Sequence, residues 1–115
     1  MSIPQIGMLD VAGLNGFADE TIQVTETSTA LSPTVFNPTN AQSAAMAIVK
    51  IEGSNCRWWA GRDSTGAVLD PQPESGFLAQ ETDPPIQLNT YNQILQFRIR
   101  RVANGVTKLN VLYYR

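Results

Sequence analysis

The side chains that could carry chemistry are few and scattered along the chain. Five carboxylates, Asp63, Asp70, Glu74, Glu81 and Asp83, lie in one polar stretch. Paired carboxylates can hydrolyse a glycosidic bond or hold calcium. Their spacing matches no calcium loop, and loops hold paired acids poorly, so they read as solvated charge. Cys56 is the single cysteine and there is no histidine. A Ser/His/Asp or Cys/His catalytic pair therefore cannot be built. Imidazole metal sites and thiolate cages are excluded for the same reason. Cys56 sits in an apolar, strand-like context and reads as a buried, inert thiol. Gly13-Leu14-Asn15-Gly16 lacks the lysine and helix of a phosphate loop. No enzyme and no cofactor is expected.

Two further groupings point to binding. Trp58-Trp59 are adjacent, and adjacent strand residues face opposite ways. One is expected in the core and the other at a protein contact, with a sugar or base platform as the alternative. Phe97-Arg98-Ile99-Arg100-Arg101 interleaves aromatic and basic residues, as a single-strand nucleic-acid binder does. It also reads as a half-buried strand with a basic outer face. The net charge of −2 favours the latter.

Charge is segregated. Residues 1–49 carry Asp10, Asp19, Glu20 and Glu26 without a base, and residues 84–115 carry Arg98, Arg100, Arg101, Lys108 and Arg115 without an acid. Either the two ends meet inside one subunit, or the acidic end of one copy lies on the basic sheet of another. Charged residues are only 16% of the 115, and Thr, Ser, Asn and Gln supply the polar surface instead. That suits a protein partly covered by others. No apolar run reaches a membrane span, and the first residues do not read as a signal peptide.

The elements that must position these groups are short strands. Residues 1–18 read as an extended arm, since Pro4, Gly7, Gly13 and Gly16 break regular structure. Yet the arm carries Ile3, Ile6, Met8, Leu9, Val11, Leu14 and Phe17, so it should pack on another protein. Residues 19–115 form the domain. Strands are expected at 21–26, 28–31, 44–52, 55–60, around 77–79, and at 86–89, 93–102 and 106–114. Residues 44–52 and 55–60 should pair as a hairpin across Gly53-Ser54. The last two strands should form another. A three-residue loop, Ala103-Asn104-Gly105, sets Leu95 against Tyr113, Phe97 against Val111 and Ile99 against Leu109. Arg98 and Arg100 would then share the other face with Leu112 and Tyr114. Many strands and no convincing helix imply an all-β, two-sheet antiparallel sandwich, jelly-roll or immunoglobulin-like.

From residue 44 on, the order of motifs is familiar. A strand ending Arg57-Trp58-Trp59 leads to the turn Gly61-Arg62-Asp63-Ser64-Thr65-Gly66. Gly76-Phe77-Leu78, Pro85-Ile86-Gln87-Leu88, Ile94-Leu95-Gln96-Phe97-Arg98-Ile99 and Leu109-Asn110-Val111-Leu112-Tyr113-Tyr114 follow. This order resembles small virion structural proteins of tailed bacteriophages. It departs from their pattern in lacking a tight Asp-Gly turn and the Pro-Thr that follows it. The resemblance implies a non-enzymatic sandwich within the virion, most simply a capsid decoration or cement protein. The alternatives are a neck, tail or fibre component, or a glycan-binding module. Its partners would be major capsid protein or other virion proteins and its own copies, as a trimer or ring, with no membrane and no main role for nucleic acid. The expected contact residues are Ile3, Ile6, Met8, Leu9, Val11, Leu14, Phe17, Trp58, Arg98, Arg100, Leu112 and Tyr114.

Overall fold

The computed structural model describes residues 14–115. It contains eight strands: β1 (Gly16–Val24), β2 (Thr29–Ala30), β3 (Met46–Gly53), β4 (Cys56–Ala60), β5 (Phe77–Ala79), β6 (Ile86–Leu88), β7 (Phe97–Arg101) and β8 (Thr107–Tyr114). Two short helices join them, α1 (Pro33–Phe36) and α2 (Tyr91–Gln96). One antiparallel sheet has the order β1-β8-β3-β6, the other β2-β7-β4-β5. The chain pairs first strand with last, second with seventh, third with sixth and fourth with fifth. That is one long hairpin rolled into a sandwich: a jelly roll. The expected all-β two-sheet sandwich is present, and the strand order selects the jelly roll over the immunoglobulin-like arrangement.

Period-2 alternation builds the core. On β8, Thr107, Leu109, Val111 and Tyr113 turn inward while Lys108, Asn110 and Leu112 turn outward. On β3, Ala47, Val49 and Ile51 face the same interior, and from the other sheet Cys56, Phe97 and Ile99 meet them. Each large apolar side chain so buried contributes roughly 1.5–3 kcal/mol. The aliphatic residues of 44–52 thus form a strand despite their Ala and Met content, because β3 lies between two neighbours in its sheet.

Both expected hairpins are absent. β3 and β4 lie in different sheets, and so do β7 and β8. In the rolled topology every connection except β4 to β5 crosses from one sheet to the other. The turn residues at 53–55 and 102–106 are instead two crossovers packed together at one corner. Ser54 Oγ donates to the Asn104 carbonyl at 2.8 Å, Val102 N donates to Asn55 O at 3.0 Å, and Thr107 Oγ1 donates to Ser54 O at 3.1 Å. Gly53 is needed there: its φ is +113°, and a Cβ would stand 2.1 Å from the Val106 carbonyl oxygen. The residues expected to oppose one another, Phe97 with Val111 and Ile99 with Leu109, do share the interior, but across the sandwich. Leu95 is outside this set because it belongs to α2.

The helices were not expected, and both follow from local rules. Thr90 caps α2 by accepting from Gln93 N at 3.1 Å, and Gln93 Oε1 accepts from Asn89 N at 2.6 Å. This is a variant of the reciprocal cap in which Thr is followed three residues later by Gln. Pro33 opens α1 with its fixed φ. The turn buries Phe36 against Tyr91 and Tyr113, with ring centroids 5.9 and 5.8 Å away.

Candidate interaction surfaces

The residues expected at contacts are spread over different sides of the molecule. Ile3, Ile6, Met8, Leu9 and Val11 lie outside the described residues. Gly16, Phe17 and Ala18, read as the end of the arm, already belong to β1. Phe17 packs against the core, with the Arg115 guanidinium 4.2 Å over its ring. The two ends of the described chain meet within one subunit. β1 pairs with β8 along its length, and Arg101 Nη2 lies 3.3 Å from Glu26 Oε1.

The outward face of the β1-β8-β3-β6 sheet carries an apolar strip. Alternation turns Met46 and Ile48 of β3 and Leu112 and Tyr114 of β8 away from the core, and the register sets Met46 beside Tyr114 and Ile48 beside Leu112. Met46, Ile48 and Tyr114 form a cluster separate from the sandwich core, with Leu14 packed on it. Tyr114 is only 6% exposed, whereas Leu112 is 36% exposed. A groove of about 630 Å³ continues along this strip between Ile48, Leu112 and Pro85, with Asp19, Lys50 and Asn110 at its margins. Met46 and Ile48 were not expected at a surface. Their signal was the unbroken apolar run 44–49, which marks a strand apolar on both faces.

The β2-β7-β4-β5 sheet treats its outward face differently. Arg57, Trp59, Arg98 and Arg100 point out, in two rows: Arg57 opposite Arg100, and Trp59 opposite Arg98. The β4–β5 connection is strung over them. Arg57 Nε donates to Pro73 O at 3.0 Å and its Nη1 to Gly76 O at 2.8 Å. Pro71 is fully buried, and Ser28, beside β2, donates to Asp70 Oδ1 at 2.8 Å. Arg98 donates to the carbonyls of Leu95 and Phe97, at 3.1 and 2.8 Å. Arg98 and Arg100 are both half-buried, and the Arg98 guanidinium is engaged with its own chain.

Trp58 faces the interior and packs against the core. Trp59 is the outward member of the pair. Phe77 on the edge strand β5 bridges them, its ring centroid 5.1 Å from each. Phe77 is 57% exposed. A cleft of about 320 Å³ opens here, lined by Trp58, Trp59, Leu69, Phe77, Leu88 and Gln93. The sequence pointed to the tryptophans but not to Phe77 or Gln93, which the topology brings from β5 and α2.

Four of the five loop acids, Asp63, Asp70, Glu81 and Asp83, and Cys56 serve the fold. Asp63 Oδ1 accepts from Thr65 N at 2.8 Å and Ala67 N at 3.1 Å, and also from the Thr65 hydroxyl. These bonds, the Thr65 hydroxyl foremost, hold its carboxyl below the usual carboxylate range. Glu81 accepts from Gly53 N, and Asp83 from Gln80 N. Among the described residues no three of His, Cys, Asp and Glu gather as a metal site would require. Burial pushes the Cys56 thiol up to about 11, against a smaller opposing pull from Thr107 and Arg101. Glu20 accepts from Ser32 N at 3.2 Å, from Ser32 Oγ at 2.6 Å and from the Tyr113 hydroxyl. It ties β1 to the start of α1 and to β8. Burial first, then the Glu20 carboxylate, pushes the Tyr113 hydroxyl far above its ordinary value.

Comparison with family models, with curated proteins and with solved structures finds no match to this chain.

Proposed function

We propose that this chain is a structural protein of a tailed-phage particle, most simply a capsid decoration protein. It works by contact and not by chemistry. The observation that supports the reading is the apolar strip on the outward face of the β1-β8-β3-β6 sheet. A sandwich of this size buries its apolar residues between the sheets and leaves its outer faces polar. Here Met46, Ile48 and Tyr114 form a second apolar cluster outside the sandwich core, none more than 6% exposed, and Leu112, 36% exposed, opens beside it onto a groove. The open part of this face, Leu112 and the groove it lines, is where a partner protein would seat. The chain also reaches this face at Leu14, directly after the apolar segment 1–13.

The partners in this reading are major capsid protein or other virion proteins, with further copies of the chain around a symmetry axis. A protein that binds only the assembled lattice stabilises it by mass action. The jelly-roll fold supports the reading by analogy alone, since the same fold serves lectins and capsid domains.

The test is co-sedimentation of the purified protein with assembled phage shells. The native chain should pellet with the shells, and Leu112→Asp should reduce the bound fraction at least tenfold while melting at the same temperature. Leu112→Asp binding as well as the native protein would refute the role of this face. Failure of the native protein to bind any shell, neck or tail preparation would refute the virion reading.

A further inference from the structure

The cleft between β4, β5 and α2 is not needed for the contact proposed above, and its chemistry differs from that of the apolar strip. Its walls are aromatic: Trp58, Trp59 and Phe77. Trp59 and Phe77 meet edge to face at an interplanar angle of 66°. Phe77 and its neighbour Leu78 stand 57% and 46% exposed at this edge, so two adjacent apolar side chains are open there.

Two glutamines line the cleft; Gln87 donates to Met46 Sδ at 3.5 Å, and Gln93 is oriented in advance. Gln93 Oε1 is held by the backbone N–H of Asn89 at 2.6 Å, and the Gln93 N–H is held by Thr90 Oγ1 at 3.1 Å. With the oxygen engaged, the Nε2 end is left with two donors. The helix cap fixes the side chain, so the donors cost little ordering on binding. The volume, about 320 Å³, lies at the small end of the ~300–1,000 Å³ typical of ligand pockets.

We propose that this cleft is a carbohydrate site for a single pyranose ring. A pyranose with equatorial substituents presents an apolar C–H face and a rim of hydroxyls. The C–H face matches the Trp59 and Phe77 rings, whose π faces take up apolar surface, with the Trp59 indole N–H as a polar margin. The hydroxyl rim accepts from the Gln93 amide. A purely apolar peptide side chain would leave that amide covered and unpaired, which carries a penalty. The proposal is independent of shell binding, and a particle protein that also holds sugar would tether the particle to glycan-coated surfaces.

The test titrates the full chain with methyl glycosides of glucose, galactose, mannose and N-acetylglucosamine, following tryptophan emission. At least one should bind saturably with Kd on the order of 1 mM, the range expected for a ligand of about a dozen heavy atoms. Phe77→Ala should weaken that sugar tenfold or more. Gln93→Glu keeps an oxygen for the Asn89 N–H but removes both donors, so it should weaken binding severalfold without lowering the melting temperature. Flat titrations with all four sugars overturn the proposal. So does a sugar whose affinity is unchanged in Phe77→Ala, since it binds elsewhere. Should Phe77→Ala fail to fold, Gln93→Glu decides alone: unchanged affinity there overturns the role of the amide and with it the site.

Discussion

The two sheets turn similar faces inward and different faces outward. The β2-β7-β4-β5 sheet covers its own outer face: the β4–β5 connection crosses it, and Arg57 pins that connection by two carbonyls. On the β1-β8-β3-β6 sheet the comparable contact lies toward the β6 edge, where Lys50 Nζ donates to the Glu81 carbonyl at 2.7 Å and to the Asp83 carbonyl. The outer face of this sheet otherwise combines Met46, Ile48, Leu112 and Tyr114 with an open groove. Two sheets of equal strand number and similar inner composition therefore end with opposite needs. One is finished by its own loop. The other leaves Leu112 and the groove beside it open, which is why the partner is sought there.

The largest effect should come where the sheets are alike. Phe97 is fully buried on the inner face of β7, with its ring centroid 5.7 Å from that of Trp58. Phe97→Ala removes a ring from a packed interior and should cost about 3–5 kcal/mol. Urea unfolding followed by far-UV dichroism measures it. Both sheets should be lost in one transition, since neither inner face survives without the other. A variant that loses one sheet first would mean the two are separate units, and the comparison of their outer faces would lose its common core.

How much of this was legible beforehand depends on whether the signal was local. Strand positions were legible, because alternation in 106–114 and β-branched runs such as Ile48-Val49 speak for themselves. So was the inward set Phe97, Ile99, Leu109, Val111, since side-chain period does not depend on which strand lies next door. Pairing was not. Gly53-Ser54 and Asn104-Gly105 are turn signals that serve a hairpin and a sheet-to-sheet crossover equally well, and only long-range packing chooses between them. Helix α2 was legible in principle from Thr90 and Gln93, but the β-rich run Ile94 to Ile99 hid it. The surfaces were half legible. Leu112 and the tryptophans announced themselves, while Met46 and Ile48 passed as core and Phe77 as part of a short strand without a contact role. The cleft joins residues more than thirty positions apart, from Trp58 to Gln93, which no local pattern reports.

A middle-sized effect should come from undoing the difference between the outer faces. Arg57→Ala removes both hydrogen bonds that hold residues 73–76 to β4. Hydrogen bonds from charged donors contribute roughly 1.5–3 kcal/mol each when buried, and these are half-exposed, so a total near 2 kcal/mol is expected. The specific signature is local. Proteolysis should nick the chain between residues 61 and 76 many times faster than in the native protein, with the rest of the sandwich intact. Arg57→Lys should not rescue it, because one ammonium lacks the fork that reaches Pro73 O and Gly76 O together. An unchanged cleavage rate would mean that Pro71 and the Asp70–Ser28 bond hold the loop without Arg57.

The smallest effect probes the inner face of β4 from within. Cys56 lies beside the corner where the two crossovers pack, its thiol donating to Ser54 O at 3.5 Å. Its pKa rises from 9.0 to about 11 on folding, chiefly because burial disfavours the thiolate. The unfolded chain therefore releases the proton first as pH rises. The stabilisation is complete below pH 9, shrinks between about 9 and 11, and is spent above that range. At pH 10 the loss should be near 1 kcal/mol. The measurement is urea stability from pH 8.5 to 10.5 in the native chain and in Cys56→Ala. The native chain should fall more steeply, the difference in slope belonging to this thiol. Disulfide reagents at pH 8 should label Cys56 only as fast as the corner opens. Equal slopes with rapid labelling would show that water reaches the inner face of β4. The β2-β7-β4-β5 sheet would then be covered outside by its loop yet open within, and the contrast between the two sheets would have to be drawn at their interiors.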